Sequence, residues 1–461
     1  MSAQPDMTTQ SIVRPGSRAE AVRNRLAEMT PGSAAINGRG REVLAMEVVP
    51  TVDMPHPIYI ADADGPHMTD VDGNRFIDLT MGFGPHVLGH RPVAVTAAVH
   101  AQADRGWHFG IHNPIQQELA ALLVDAAPAL DSAVFCNSGT EATMYAMRVA
   151  RAFTGKDRVA LFDGSYHGAH DYALVKADAE SPRNRPTGKI LGGGVPDAIN
   201  TDTMMVLPYR DATAFDLIRA YSSELALVIV EPVQSSNPRL DQGDFLRELI
   251  AVCREADVLV LLDEVITGFR LAYGGGQAHF DLMPDLATYG KALGGGFPIG
   301  AVGGRRDIMA LFSDRGGEKS IFSGGTFSGN PMTMAAGRAA VGHMRDKADE
   351  IYPYLMTEGE RFSREINDFC RDHEIAAQVL SAGSMFYMRF QAAPINSWRD
   401  IDLKANPVAE REFYLHLLAQ GVIVPGIHLA FFSYAHRPDH VDAVIAAFKE
   451  AFLEVRADGL L

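Results

Sequence analysis

From about Asp131 onward the sequence alternates short apolar runs with stretches of helical periodicity, and this leaves few architectures open. The runs read "SAVFCN", "RVALFDG", "LALVIVEP", "VLVLLDE", "DLATYGK" and "IGAVGG". Helical patterns lie between several of them, such as Glu141 to Phe153 and Phe245 to Ala256. Strands that read as unbroken apolar runs belong to a sheet buried on both faces, so the expectation is an α/β fold with a mostly parallel sheet between helix layers. This large domain is placed at 89–344.

The flanks have a different grain. Residues 57–80 carry two turn signals, Asp64-Gly65 and Asp72-Gly73, between short strand-like runs, which is antiparallel hairpin material. The C-terminal part holds "GSMFYMRF", then "VIVPGIHLAFFSY", then a last helix. Asp439 and Asp442 suggest a capping-box-like start for that helix, with Val441, Val444, Ile445, Phe448 and Phe452 as its apolar stripe. Segments 46–88 and 345–461 are therefore expected to join into a small α+β lobe, leaving a site in the cleft and an N-terminal segment at 1–45. The stretch "KILGGGVPDAIN" reads as a long mobile loop.

Composition excludes several functions. A net charge of −16 disfavours nucleic acid and anionic membrane surfaces, both of which need a basic face. No run is long and apolar enough to span a bilayer, and the polar N-terminus lacks a secretory signal, with its first dozen residues expected as a loose arm. Three scattered cysteines, Cys136, Cys253 and Cys370, offer neither a disulfide framework nor a zinc site, so no metal is expected and a cytoplasmic location is.

The chemistry centres on "GKALGGGFP", where Lys291 follows a strand-like run and precedes a glycine-rich loop with almost no other charge nearby. Asp263, closing "VLVLLD", has three readings: a helix cap, a Walker B carboxylate, or the partner of a cofactor. The Walker reading requires a G-x-x-x-x-G-K-[ST] loop, and the sequence has none. Nor does any G-x-G-x-x-G open a helix. Asp263 and Lys291 at neighbouring strand ends suit pyridoxal phosphate, the carboxylate keeping the pyridine nitrogen protonated and the amine forming a Schiff base and moving a proton. Ser138-Gly139-Thr140, between a strand end and a helix start, would cradle the phosphate on backbone N–H groups and hydroxyls. Tyr166 and His167, just after another strand, would bring an aromatic to a ring face.

With these features in order, "NSGTEAT", "YHG", "VEPV", "LLDEVITGFR", "GKALGGGFPIGAVGGR" and "GTFSGNPMTMAAG" resemble the class III, fold-type I pyridoxal-phosphate aminotransferases, in the branch that holds glutamate-1-semialdehyde aminomutase. The resemblance implies a seven-stranded, mostly parallel sheet with the small lobe built from both chain ends. It implies Lys291 as the Schiff-base lysine, Asp263 as partner of the pyridine nitrogen, and Val265 and Tyr166 against the two ring faces. It implies Ser138, Gly139 and Thr140 at the phosphate, His167 and Glu231 near the cofactor, and Gly325 and Thr326 reaching the phosphate of a neighbouring subunit in a homodimer with shared sites.

For the substrate, Arg39 in "PGSAAINGR" stands at the spacing of the mutase's substrate-binding arginine. Phe83 stands where that branch usually has tryptophan, and "VPGIHLAFFS" is one residue shorter than the mutase segment and offers His428 in place of a glutamate. Phe83, Ile427, Leu429 and Phe431 read equally as an apolar pocket or as core. Between Gly421 and His436 no arginine is available for a carboxylate. The expected function is transfer of an amino group between a separate donor, an amine or amino acid with a bulky or apolar side, and a keto or aldehyde acceptor. The alternative is the intramolecular transfer of the aminomutase.

Overall fold

The apolar runs assemble into one seven-stranded sheet. In chain order its strands are β1 (Ser132–Cys136), β2 (Arg158–Phe162), β3 (Met204–Leu207), β4 (Leu225–Val230), β5 (Leu259–Asp263), β6 (Leu286–Gly290) and β7 (Gly300–Gly304). Across the sheet they run β1-β7-β6-β5-β4-β2-β3. Only β7 runs against its neighbours, so the sheet is mostly parallel, as expected. The computed structural model describes residues 15–40, 42–45, 56–182, 184–314, 316–402, 404–426 and 429–461. The polar arm expected for the first dozen residues lies outside them.

Strands β4, β5, β6 and β7 are buried at every position, which accounts for their unbroken apolar sequence. Each large aliphatic side chain removed from water there contributes about 1.5–3 kcal/mol to holding the layers together. The helices Gly139–Thr154, Thr213–Ala220 and Gly243–Glu255 present apolar stripes to this sheet. The first of them begins two residues before the expected Glu141, because Ser138 is extended and its hydroxyl caps the helix by accepting from Glu141 N.

Both chain ends share a second, smaller sheet. Ile60–Asp64, His67–Asp70 and Arg75–Asp78 form an antiparallel meander, and Val422–Ile423 joins its edge in parallel. The turns fall at Gly65 and Gly73, where φ is +53° and +87°. Gln378–Ala382, Met385–Arg389 and Ala430–Phe431 form a third sheet, whose core includes Phe362, Phe386, Phe413, Phe448 and Phe452.

Two expectations need correction. The last helix is Pro438–Ala457, preceded by an extended Arg437, with proline at its first position and His440 in the capping box. Asp442 faces Arg361 at 2.6 Å instead of capping, while the expected apolar stripe is buried. The "KILGGGVPDAIN" stretch is not one structureless loop: Gly188–Ile190 pairs with Val175–Ala177, and Ile199–Thr203 forms a short π-helix.

Candidate active site

Five parallel strands of the large sheet deliver their C-terminal ends to one cavity of about 440 Å³. Asn137 follows β1, Tyr166 and His167 follow β2, Glu231 follows β4, Asp263 closes β5 and Lys291 follows β6. This is where an open α/β sheet leaves strand ends free of crossovers to meet a ligand.

Asp263 is buried and fully engaged. Its Oδ1 accepts from Val265 N at 3.1 Å and from the Thr288 hydroxyl at 3.0 Å, and its Oδ2 lies 2.7 Å from His167 Nδ1. Glu231, also buried, accepts from Tyr166 N at 3.1 Å and Ser235 N at 3.2 Å, which fixes the backbone that carries Tyr166. Burial raises the Glu231 pKa; His167 opposes the shift and Asp263 adds to it. At Lys291, burial pushes the amine down to about 8, Arg270 pushes the same way, and Glu231 and Asp263 oppose. A lysine in this range has an accessible neutral form, which a nucleophilic amine requires. Its amine makes no hydrogen bond with the described residues.

The residues present fit pyridoxal phosphate. His167 Nε2 is buried with no partner, although the ring lines the cavity. At the helix start, a Cβ on Gly139 would lie 2.9 Å from Val265 Cγ1, so glycine keeps that end of the cavity open. A Cβ on Gly168 would similarly meet the Thr140 hydroxyl at 2.7 Å. Gly139 and Thr140 offer orphan helix N–H groups there, and the Thr140 hydroxyl accepts from Ala169 N at 3.3 Å. Among the described residues no cluster of His, Cys, Asp and Glu could hold a metal ion.

Ser138, Gly139, Thr140, Tyr166, His167, Glu231, Asp263, Val265 and Lys291 thus line one cavity. The other candidates lie elsewhere. Arg39 is exposed in the last turn of Pro31–Gly40. Phe83 sits between Gly82, which lines the cavity, and Gly84, which does not. Leu429 and Phe431 are buried in the main core, while Ile427 and His428 fall outside the described residues. Gly325 and Thr326 are exposed, on a segment tied to its own chain where Gly324 N donates to the Tyr145 hydroxyl at 3.2 Å.

Sequence reasoning passed over several residues. Thr288 supports Asp263, and its position was visible two residues before Gly290 in a strand that pairs with β5. Ile266, Phe297, Pro298 and Ile299 give the cavity an apolar wall. Lys176 stands 5.5 Å from the Tyr166 ring centre and donates to Ser165 O at 2.7 Å; no motif marked it.

An α/β sheet that gathers a lysine, a carboxylate and a helix N-terminus around such a cavity defines a pyridoxal-phosphate-dependent fold-type I enzyme. Comparison with known proteins narrows the class. The chain belongs to the family Aminotransferase class-III, which matches residues 48–452. It is 37% identical over 402 residues to a glutamate-1-semialdehyde 2,1-aminomutase of Methanothermobacter thermautotrophicus, covering 86% of this chain and 92% of that one. It is similar to the crystal structure of an omega-transaminase from Sphaerobacter thermophilus (TM-score 0.86, 31% identity, 92% and 98% of the two chains). It is also similar to a transaminase solved with PLP bound (TM-score 0.83, 26% identity, 93% and 99% of the two chains).

Proposed function

We propose that this protein moves an amino group between a separate donor and a keto or aldehyde acceptor, the donor being an amine or amino acid with a bulky or apolar side. The observation that carries this reading is the cavity's lining: Lys291 is its only lysine or arginine among the described residues, and Ile266, Phe297, Pro298 and Ile299 form its apolar wall. A substrate defined by its carboxylates would need a second cation at that surface.

Pyridoxal phosphate, when bound, supplies an electron-accepting ring that stabilises a substrate carbanion. Lys291 would provide the amine that holds the cofactor and would carry the proton to and from the substrate carbon. Asp263, held by Thr288 and His167, would face the ring nitrogen. Val265 and Tyr166 would border the two ring faces, Glu231 fixes the Tyr166 backbone, and Ser138, Gly139 and Thr140 would hold the phosphate.

The reading includes a homodimer in which Gly325 and Thr326 complete the partner's phosphate site. Its support is an exposed apolar set beside these residues: Phe322 is 81% exposed, Trp107 71% and Ile111 79%. The Phe327 and His108 rings meet at a tilt with centres 5.1 Å apart, and Asn113 donates to Gly329 O, which joins the two segments into one surface. The proposal keeps the division into an N-terminal segment at 1–45, a small lobe from 46–88 with 345–461, and a large domain at 89–344. A cytoplasmic setting is part of it; no described helix is long and apolar enough to cross a membrane.

The aminomutase remains the second reading, favoured by the likeness to glutamate-1-semialdehyde aminomutases and by Arg39, which would serve as the carboxylate clamp. Turnover of glutamate-1-semialdehyde with no added acceptor distinguishes the two. The expected result is steady turnover only when donor and acceptor are both supplied, and efficient conversion of the single substrate reverses the order.

A further inference from the structure

Arg270 ends the turn that follows β5 and is 2% exposed, yet no carboxylate pairs with it among the described residues. A guanidinium removed from water without a counter-ion is held by its hydrogen bonds or not at all. Those bonds join three distant parts of the chain. One nitrogen, Nη2, donates to Gly84 O; the other, Nη1, lies 3.3 Å from the Ser384 hydroxyl and 3.5 Å from Phe432 O. The guanidinium also sits 4.6 Å from the Phe431 ring centre, and its Nε is without a partner.

Gly84 is the end of an unusual turn. Met81, Gly82, Phe83 and Gly84 have φ of +42°, +63°, +65° and +110°. Two of the four are not glycine, so the surroundings must impose the left-handed conformation. Gly84 lies beside the candidate reacting lysine: a Cβ there would make ordinary contact with Lys291 Cδ at 3.5 Å and a tight one with Phe431 Cζ at 3.2 Å. The Arg270 bond to the Gly84 carbonyl therefore acts on the backbone that packs along the Lys291 stem.

We propose that Arg270 is a positioning residue for amino transfer: through the Gly84 carbonyl it sets the Lys291 stem, and through Ser384 and Phe432 it pins the C-terminal sheet to the same point. This rests on the reading of Lys291 as the reacting amine. Its charge has a second effect. The charged groups that act on the Lys291 amine are Arg270, Glu231 and Asp263, and only Arg270 favours the neutral amine. One buried cation thus orients the lysine and opposes its protonation.

The test begins with the chain freed of cofactor. Lys291 is labelled competitively with dilute acetic anhydride across the alkaline range, and mass spectrometry follows its peptide. In Arg270→Met the labelling midpoint should rise from about 8, by roughly one unit for the loss of a nearby like charge. In the reconstituted enzyme kcat should fall about tenfold or more, with KM for the donor little changed, because positioning is lost while the pocket wall is not. Arg270→Lys keeps the charge without the fork, so its midpoint should stay near the parent's while kcat still falls. Parental kcat in a folded Arg270→Met protein overturns the positioning role, and an unchanged midpoint there overturns the charge effect. If that variant does not fold, parental kcat in Arg270→Lys overturns the positioning role instead. The role of Lys291 fails on different evidence, namely borohydride fixing the cofactor to another lysine, and the midpoint shift is read independently of that result.

Discussion

His167 Nδ1 lies 2.7 Å from Asp263 Oδ2, and the other nitrogen of the same ring is buried with no partner in the cavity wall. Two further donors, Val265 N and the Thr288 hydroxyl, saturate Oδ1. A carboxylate held by three partners is fixed in orientation as well as place.

Asp263→Asn preserves the shape and removes the charge. The variant should fold with an unchanged melting temperature and retain cofactor, while turnover drops by roughly two orders of magnitude or more, as for loss of a preorganised electrostatic contact. Steady-state kinetics beside a melting curve checks this, and near-parental turnover contradicts the assigned role.

Lys291→Ala should abolish turnover, because attachment of the cofactor and proton transfer share one amine. In the parent enzyme, borohydride followed by peptide mass spectrometry should find the cofactor on Lys291.

The lowered proton affinity of Lys291 also makes stability depend on pH. Its folded value is about 8, against roughly 10.4 in an unfolded chain. Between those values the unfolded state binds more protons, so this group makes the folded state gain stability as pH rises. Below about pH 8 both states are protonated and the full cost of burying the charge is felt. Lys291→Met should therefore stabilise the cofactor-free chain near neutrality, by on the order of 1–3 kcal/mol. The advantage should shrink toward zero as pH climbs through that window. Urea unfolding at several pH values measures it, and an advantage independent of pH would sink the idea.

Gly139→Ala should weaken the cofactor site without unfolding the chain. Its Cβ would lie 2.9 Å from Val265 Cγ1, so either the helix start or Val265 must shift at the phosphate end. The pyridoxal phosphate concentration for half-maximal activity should rise about tenfold, as expected for one misplaced charge-assisted contact. An unchanged titration would place the phosphate elsewhere.

Thr326→Ala should raise the same half-maximal concentration if the partner's phosphate is held there. Light scattering at assay concentration should show a dimer, and replacing Phe322 with Ser should weaken it. A fully active monomer removes the shared-site claim.

Much of this was legible beforehand because parallel strands advertise themselves. "LALVIV" and "VLVLLD" are apolar throughout since both their faces are covered, and each ends directly at a candidate residue, Glu231 and Asp263. Chemistry-bearing groups at strand ends need little tertiary information to find. Arg270 and Thr288 were not singled out because their roles depend on pairings between segments, Arg270 with Gly84 some 186 residues away. The helix start at Pro438 was misplaced because two aspartates imitated a capping box that proline and His440 provide. Arg39 had only spacing to recommend it, and its exposed position in this chain leaves its use to the substrate experiments.

Strand β1 has a single neighbour in the sheet, β7, synthesised more than 160 residues after it. The proposed phosphate cradle at the end of β1 is therefore joined to the rest of the sheet only when Gly300–Gly304 lies between β1 and β6. During synthesis the first edge strand must wait, unpaired, for the closing of a very long loop, a step that is slow on topological grounds. A cradle built this way would form late in folding, and a chain still lacking Gly300–Gly304 presents β1 as an open edge.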